Sequence, residues 1–403
     1  MTKEKNKPHA EREHARFPFS AAHRWLNCPS SIALSEQLPT GKTESPAARK
    51  GTLQHECNEG GLKAFLTFKE TGTNDESWRG NIKDDAEAGF ESTEAFEITK
   101  LYITYIWEKT LEQSLTGKAW GLEEKWCLDD KNGLWGTCDF WCIGIDDRAR
   151  RHGKIVDYKN GHYVVEIKNN PQLMGYALAL LKEIRAAGKD LDVVTTAIIQ
   201  PNASCETYRE CTYTAKQLET FEKKIYRAIK GILTGSKSKF KTGEWCTFCP
   251  AMAVCMEYKK NLEEKELLPL LKDKALPEIS KIPEETLVKI ALHGDELKEF
   301  LKAVDMYIIN RHQQGKPLPG CKVVEKPGKR SWIDDEAKVA KILSDAGISD
   351  PWTKKLITMT EAKKLLKDEK RYAAAISPGK TTLSIVDLSD HRAAASDSAK
   401  LLE

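Results

Sequence analysis

The chain has 403 residues, of which 63 are Lys or Arg and 60 are Asp or Glu, so that its formal net charge is +3. This length can bury two or more domains, and the balanced charge restricts any nucleic-acid surface to a local patch. No apolar stretch approaches the roughly 20 residues that cross a bilayer, and residues 1–16 lack the apolar core of a signal peptide. We therefore expect a soluble, cytoplasmic protein. Its 11 cysteines, an odd number, favour metal ligation by a subset over a disulfide framework.

The predicted elements begin after a charged tail, residues 1–16, which its composition predicts to be disordered. Ser20 is a candidate cap of a short helix that Pro29 ends. Hydrophobic periodicity then predicts helices over residues 52–68 and 90–115, followed by a meander of three strands over 121–128, 136–145 and 154–158. A helix over 171–186, a strongly β-branched strand over 193–200 and a helix over 214–233 complete the predicted elements. Strands, a helix and a returning strand describe an α/β fold with a mixed sheet flanked by helices.

Composition predicts the domain boundaries. One domain is expected over residues 17–260, and a Lys/Glu-rich linker over 261–281 follows it. A helix over 283–313 and a Lys-rich remainder predict a small α+β accessory domain over 282–403.

Three charged residues lie on predicted strands or directly after one, next to apolar residues such as Phe140 and Val156: Asp139, Asp157 and Lys159. A buried charge needs a partner, and two nearby carboxylates repel each other unless a cation or a shared proton holds them. Asp157 and Lys159 share a strand face because side chains alternate with period two. The pattern predicts a Mg²⁺ or Mn²⁺ site, with Lys159 placing or deprotonating the attacking water. His55 is a candidate further ligand, and its imidazole would favour Mn²⁺.

Two alternatives stay open at this level. An Asp-x-Lys triplet alone is more often a solvated strand end, and Glu166-Ile167-Lys168 has the same spacing as the first triplet. The apolar strand before Asp157 favours the first triplet, and Glu166 with Lys168 inherits the roles if that choice is wrong. Cys138 and Cys142, four residues apart, are expected on one strand face as buried small hydrophobic residues.

A second group of candidate ligands is cysteine. Cys246 and Cys249 form a Cys-x-x-Cys turn, and Cys255 follows a few residues later. This set is one ligand short of a tetrahedral site, and the spacing alone is equally compatible with zinc and with an iron-sulfur cluster.

The order of the motifs resembles the RecB-like branch of the PD-(D/E)xK nucleases, with matches at Gly51–His55, Gly136–Asp139, Asp157–Lys159 and Gln172–Tyr176. The resemblance implies a restriction-endonuclease-like sheet, a catalytic Lys159, and metal ligation by His55, Asp139 and Asp157. It also implies that Gln172 and Tyr176, one turn apart on a helix, contact DNA or Lys159, although Tyr176 also lies on the apolar stripe of that helix. Glu123 or Glu124 is a candidate auxiliary acid outside the catalytic set.

A subset of this branch, which includes CRISPR-associated adaptation nucleases and AddB-type helicase-nucleases, has one cysteine before the nuclease core and three after it. The resemblance implies Cys28 as the fourth ligand, with Cys246, Cys249 and Cys255, of a 4Fe-4S cluster that joins the two ends of the domain. Zinc is the alternative.

The whole chain resembles a phage- and prophage-encoded group of uncharacterised RecB-like proteins, with tail matches at residues 319–324, 330–332 and 389–392. The resemblance implies an exonuclease that acts on DNA ends in a bacterial host, and it slightly favours 5′ to 3′ digestion. It also implies a phage single-strand binding or annealing protein as the partner. Trp332 or Trp352 of the Lys-rich tail could stack a base. The alternative function is a catalytically silent DNA-binding or assembly protein on the same fold.

Overall fold

The computed structural model describes residues 15–38, 46–85, 88–111, 116–236, 239–265, 282–316, 318–321 and 323. These residues fall into two compact units: the first contains those up to Glu264 and those from Glu296 onward, and the second contains residues 265 and 282–295. The expectations for residues 1–14, for most of the linker and for the tail beyond residue 323, including Trp332 and Trp352, lie outside the described residues. None of the described helices is long and apolar enough to cross a membrane.

The first unit is built on one five-stranded mixed sheet. Its strands lie in chain order: β1 Thr116–Asp129, β2 Leu134–Ile145, β3 Arg151–Tyr158, β4 Val193–Ile199 and β5 Tyr208–Thr214. The β3–β4 pair is parallel and the other three pairs are antiparallel. The predicted α/β fold with a mixed sheet flanked by helices is confirmed. β5 was not predicted from the sequence.

The described α-helices are α1 Ala22–Asn27, α2 Ser30–Glu36, α3 Pro46–Thr71, α4 Ser92–Ile106, α5 Pro171–Ala186, α6 Ala215–Leu233, α7 Met256–Glu264 and α8 Glu284–Gln313. The prediction of a Ser20 cap is wrong, because Ser20 lies inside a 3₁₀ turn, Phe19–Ala21, and no side chain caps either that turn or α1. Pro29 directly precedes α2, consistent with the tolerance of proline at a helix start.

Both faces of the sheet are covered. On one face α5 and α6 pack with Phe17, Phe19 and Trp25 of the N-terminal segment. On the other face, residues of α3 and α4 such as Leu62 and Tyr102 pack against the sheet. α5 connects β3 to β4, which is the crossover that a parallel pair needs.

Strand β1 changes faces halfway along its length. Strict alternation would place all its even-numbered residues on one face, yet Trp120 and Leu122 pack on the α3/α4 side while Trp126 and Leu128 pack on the α5/α6 side. Glu123 lies between these two groups with φ of 43°, in the left-handed region that a non-glycine residue rarely adopts. This backbone turn exchanges the two faces of β1.

Strand β2 changes faces at the matching position. Cys138 packs on the α5/α6 side, whereas Phe140 and Cys142 pack on the α3/α4 side. The prediction that Cys138 and Cys142 share a face is therefore wrong, although both are buried. Since Leu122 pairs with Phe140 and Glu124 with Cys138, Glu123 and Asp139 lie opposite each other where both strands change faces.

Candidate metal centre

Three potential metal ligands converge at the point where β1 and β2 change faces. His55 of α3, Glu123 of β1 and Asp139 of β2 offer one ligand atom each, and these atoms lie within 4.8 Å of one another. His55 Nδ1 is 3.5 Å from Asp139 Oδ2 and 3.9 Å from Glu123 Oε1. Imidazole nitrogen and carboxylate oxygens suit a divalent metal ion. The donor set therefore fits a Mn²⁺ or Mg²⁺ ion.

Asp139 is the most constrained member of this set. The residue is 9 % exposed, and its Oδ2 accepts a hydrogen bond from the Tyr158 amide at 2.6 Å. Burial raises the pKa of Asp139 to about 6; the nearby Asp157 adds to the rise, and His55 and Lys159 oppose it. Burial thus disfavours the charged form in the metal-free protein, and a bound cation would restore it.

Asp157 and Lys159 lie beside this group at the end of β3. Asp157 is 2 % exposed, and its Oδ2 forms an ion pair with Lys159 Nζ at 2.8 Å. Burial alone would lower the pKa of Lys159, but Asp157 and Asp139 outweigh that effect and the pKa is raised. Lys159 is consequently an ammonium ion at neutral pH, which suits charge stabilisation better than deprotonation of water.

Gln172 fixes the relative positions of this pair. Its Nε2 donates to Asp157 Oδ1 at 2.9 Å, and its Oε1 accepts from Lys159 Nζ at 3.0 Å. The residue lies in the first turn of α5, where Pro171 occupies the first helical position and Asn170 caps the helix by accepting from the amide of Gln172. The sequence prediction placed Gln172 beside Lys159, and the structure has this contact.

Tyr176, the other predicted residue of α5, has a different position. It is buried, and its ring packs edge-on against Phe19 with centroids 5.3 Å apart. Burial raises the pKa of Tyr176 well above its ordinary value, and its hydroxyl interacts with Gln172. Tyr176 is therefore a core residue that supports Gln172, and its ring is not available to DNA.

The predicted ligand set and the geometric one differ by one residue. The prediction was His55, Asp139 and Asp157. Among the described residues, the three side chains whose ligand atoms all lie within 4.8 Å of one another are His55, Asp139 and Glu123. Glu124, the other candidate auxiliary acid, instead accepts a hydrogen bond from the Trp141 indole. The sequence indicated this third ligand only as one of two adjacent glutamates on the preceding strand, and it could not distinguish Glu123 from Glu124.

The alternative triplet lies away from the centre. Glu166 and Lys168 are exposed, and the Glu166 carboxylate accepts a hydrogen bond from the Lys168 amide at 2.9 Å within a local turn. Neither is a member of the His55 group. The geometry therefore favours Asp157 and Lys159 over Glu166 and Lys168.

The four predicted cysteine ligands line one cavity. Cys28 comes from the segment after α1, and Cys246, Cys249 and Cys255 come from the segment after α6. Burial raises the pKa of Cys28, and it raises the pKa of Cys246 to about 11, which keeps both thiols protonated until a metal displaces the proton. Among the described residues, no three of these sulfur atoms lie within 4.8 Å of one another. A single zinc ion with Zn–S bonds of about 2.3 Å would need them closer, at about 3.8 Å.

The fold and the site together define an α/β protein with a partly buried histidine-carboxylate centre beside a paired lysine. The chain belongs to the family described as protein of unknown function DUF2800, which it matches over residues 14–393. A solved structure titled "Crystal structure of SSO0001" is similar with a TM-score of 0.23 and 10 % identity, covering 51 % of this chain and 85 % of that one. A likeness this weak carries no argument about fold or function.

Proposed function

We propose that this chain is a metal-dependent deoxyribonuclease that hydrolyses phosphodiester bonds, acting as an exonuclease on DNA ends in phage DNA recombination or processing. The observation that carries the proposal is the convergence of His55, Glu123 and Asp139 within 4.8 Å beside the Asp157–Lys159 pair. DNA is the proposed substrate, and a phage single-strand binding or annealing protein is the proposed partner.

His55, Glu123 and Asp139 would hold a Mn²⁺ or Mg²⁺ ion. Such an ion would polarise the phosphate and activate a water molecule. Asp157 lies close enough to Asp139 to raise its pKa, so that it also attracts a cation at this site. Lys159, charged and held by Asp157 and Gln172, can stabilise negative charge on the phosphate oxygens. Both the amide nitrogen and the amide oxygen of Gln172 bind this pair, and Gln172 therefore orients Lys159 before substrate binds.

We further propose a 4Fe-4S cluster on Cys28, Cys246, Cys249 and Cys255, with zinc as the alternative. Its support is a single cavity lined by four thiols, one from the segment after α1 and three from the segment after α6. Such a cluster would close a long loop and stabilise the unit. Anaerobically purified protein should be brown and contain four irons and four acid-labile sulfides per chain. A colourless, zinc-loaded preparation would exclude the cluster.

The nuclease proposal is tested with DNA labelled at one end or the other, incubated with Mn²⁺. Wild type should shorten the labelled strand, and Asp139→Asn and Lys159→Met should each lower the rate at least 100-fold. Glu166→Gln is the matched control, because it removes a carboxylate of the alternative triplet on the surface, and it should retain the wild-type rate. The end label that disappears first gives the polarity, for which we expect 5′ to 3′. If wild type and Asp139→Asn leave the DNA equally intact, the enzyme proposal fails.

A further inference from the structure

The loop between β3 and α5, residues 159–170, begins and ends at the candidate centre. Lys159 is its first residue, and Asn170 at its other end caps the helix whose Gln172 contacts Lys159. The loop also leaves the sheet at the carboxyl end of the parallel β3–β4 pair, the edge at which α/β proteins usually bind ligands. Both ends of the loop are therefore anchored at the centre.

The loop backbone is fixed by the chain that follows β4. Gln200, fully buried, donates from Nε2 to the carbonyl oxygens of Gly161 at 2.9 Å and Tyr163 at 2.7 Å. Its Oε1 accepts from the Val165 amide at 3.2 Å, and Arg209 donates to the Val165 carbonyl oxygen at 2.7 Å.

A second contact point lies nearer the start of the loop, at Asn160 and His162. Asn202 Nδ2 donates to the Asn160 carbonyl oxygen at 3.1 Å, and its own carbonyl oxygen lies 2.8 Å from His162 Nδ1. Backbone groups along the first half of the loop are thus held by hydrogen bonds from buried or partly buried side chains.

On this fixed backbone two apolar side chains point to solvent. Tyr163 is 72 % exposed and Val164 is 54 % exposed. The hydrogen bonds that hold Tyr163 engage its carbonyl oxygen only and leave the ring in solvent. An aromatic ring on a rigid loop loses little conformational entropy when it binds a flat partner.

We infer that Tyr163 stacks on a nucleobase of the single-stranded DNA whose phosphate lies at the centre, so that it positions the strand end for cleavage. This inference rests on the proposed function. Stacking on an aromatic ring is tolerant of base identity, as a nuclease that digests any sequence requires, because every base has a π-face. Tyr163 is a positioning residue here, since it touches neither the metal ligands nor Lys159.

The test uses the full chain with Ca²⁺ in place of Mn²⁺ and a short single-stranded oligonucleotide that carries 2-aminopurine near one end. Wild type and Tyr163→Phe should quench the 2-aminopurine fluorescence and bind with equal Kd. Tyr163→Ala should lose the quenching and bind about tenfold more weakly, with an unchanged dependence of Kd on salt, because no charge is removed. Phe68→Ala, which removes another exposed aromatic ring, 45 % exposed, should behave as wild type.

Cleavage kinetics with Mn²⁺ supply a second readout. Tyr163→Ala should raise KM about tenfold and change kcat less than threefold at saturating DNA, which a general loss of folding would not produce. Equal binding and equal quenching by wild type and Tyr163→Ala would overturn the inference and would point to a protein partner for this loop. Failure of wild type to bind the oligonucleotide would overturn it as well. Binding with Tyr163-dependent quenching but without cleavage would support the stacking of Tyr163 on a base while refuting the nuclease proposal.

Discussion

The buried carboxylate of Asp139 should lower the stability of the metal-free protein at neutral pH by an amount that disappears in acid. Its pKa rises from 3.8 to about 6, mainly through burial, and each pKa unit corresponds to about 1.4 kcal/mol. The difference of about two units amounts to about 3 kcal/mol. Below pH of about 4 the group is protonated in both the folded and the unfolded chain and costs nothing. The cost grows between pH of about 4 and about 6 and is complete above that range.

Replacement of Asp139 by Asn should remove this cost. The amide has the shape of the protonated carboxyl group and keeps an oxygen that can accept from the Tyr158 amide. With EDTA present, urea unfolding followed by tryptophan fluorescence should show Asp139→Asn more stable than wild type by up to about 3 kcal/mol at pH 8, and by only about 1 kcal/mol at pH 4.5. Addition of Mn²⁺ at pH 8 should stabilise wild type and leave the variant unchanged, since only wild type binds the ion tightly.

Asp146 provides the control for this experiment. It is also buried, but hydrogen bonds and charge from Arg150 outweigh the effect of burial and lower its pKa, so its charged form is the stable one. Asp146→Asn should therefore lower stability at pH 8. If Asp139→Asn lowers stability at pH 8 in the same way, the protein itself satisfies the Asp139 charge, and the reasoning that the site awaits a cation is refuted.

Three further predictions follow from the same contacts. Glu123→Gln should weaken Mn²⁺ binding at least tenfold by titration calorimetry, whereas the neighbouring Glu124→Gln should not; equal effects of the two would remove Glu123 from the ligand set. Lys159→Met should abolish cleavage yet bind Mn²⁺ at least as tightly as wild type, because a positive charge leaves the site, and weaker Mn²⁺ binding would contradict this role. Gly175→Ala should destabilise the first unit by about 1–3 kcal/mol, since the added Cβ would lie 2.8 Å from the Phe19 ring; an unchanged urea midpoint would refute this packing.

The sequence predicted those elements whose signals are local. Helix α5 has the predicted bounds, Pro171–Ala186, because a cap, a proline at the first position and an apolar stripe all act within a few residues of one another. The charged residues of β2 and β3 were also recognisable, since an apolar strand necessarily carries them toward the core. Strand β5 was missed because only one of its seven residues is buried, so that it lacks the apolar pattern of the other strands.

The parts of the site that were not predicted depend on backbone geometry. Strict alternation assumes a regular strand, and the left-handed backbone at Glu123 breaks it, which is why Cys138 and Cys142 were assigned to one face and Glu123 was left out of the ligand set. No propensity predicts a glutamate with φ of 43°. The exposure of Tyr163 likewise depends on Gln200, about 40 residues later in the chain.

Destabilising features at the candidate centre favour a functional interpretation over a structural one. Asp139 has a raised pKa because burial disfavours its charged form, and Glu123 adopts an unfavourable backbone conformation. Gln200, which is also buried but has a structural role, uses both its amide oxygen and its amide nitrogen in hydrogen bonds. A polar group kept for folding alone is satisfied as Gln200 is, because an unsatisfied one costs stability. Two carboxylates and an imidazole converge at the same point as these destabilising features. We expect such a combination where a bound cation completes the site.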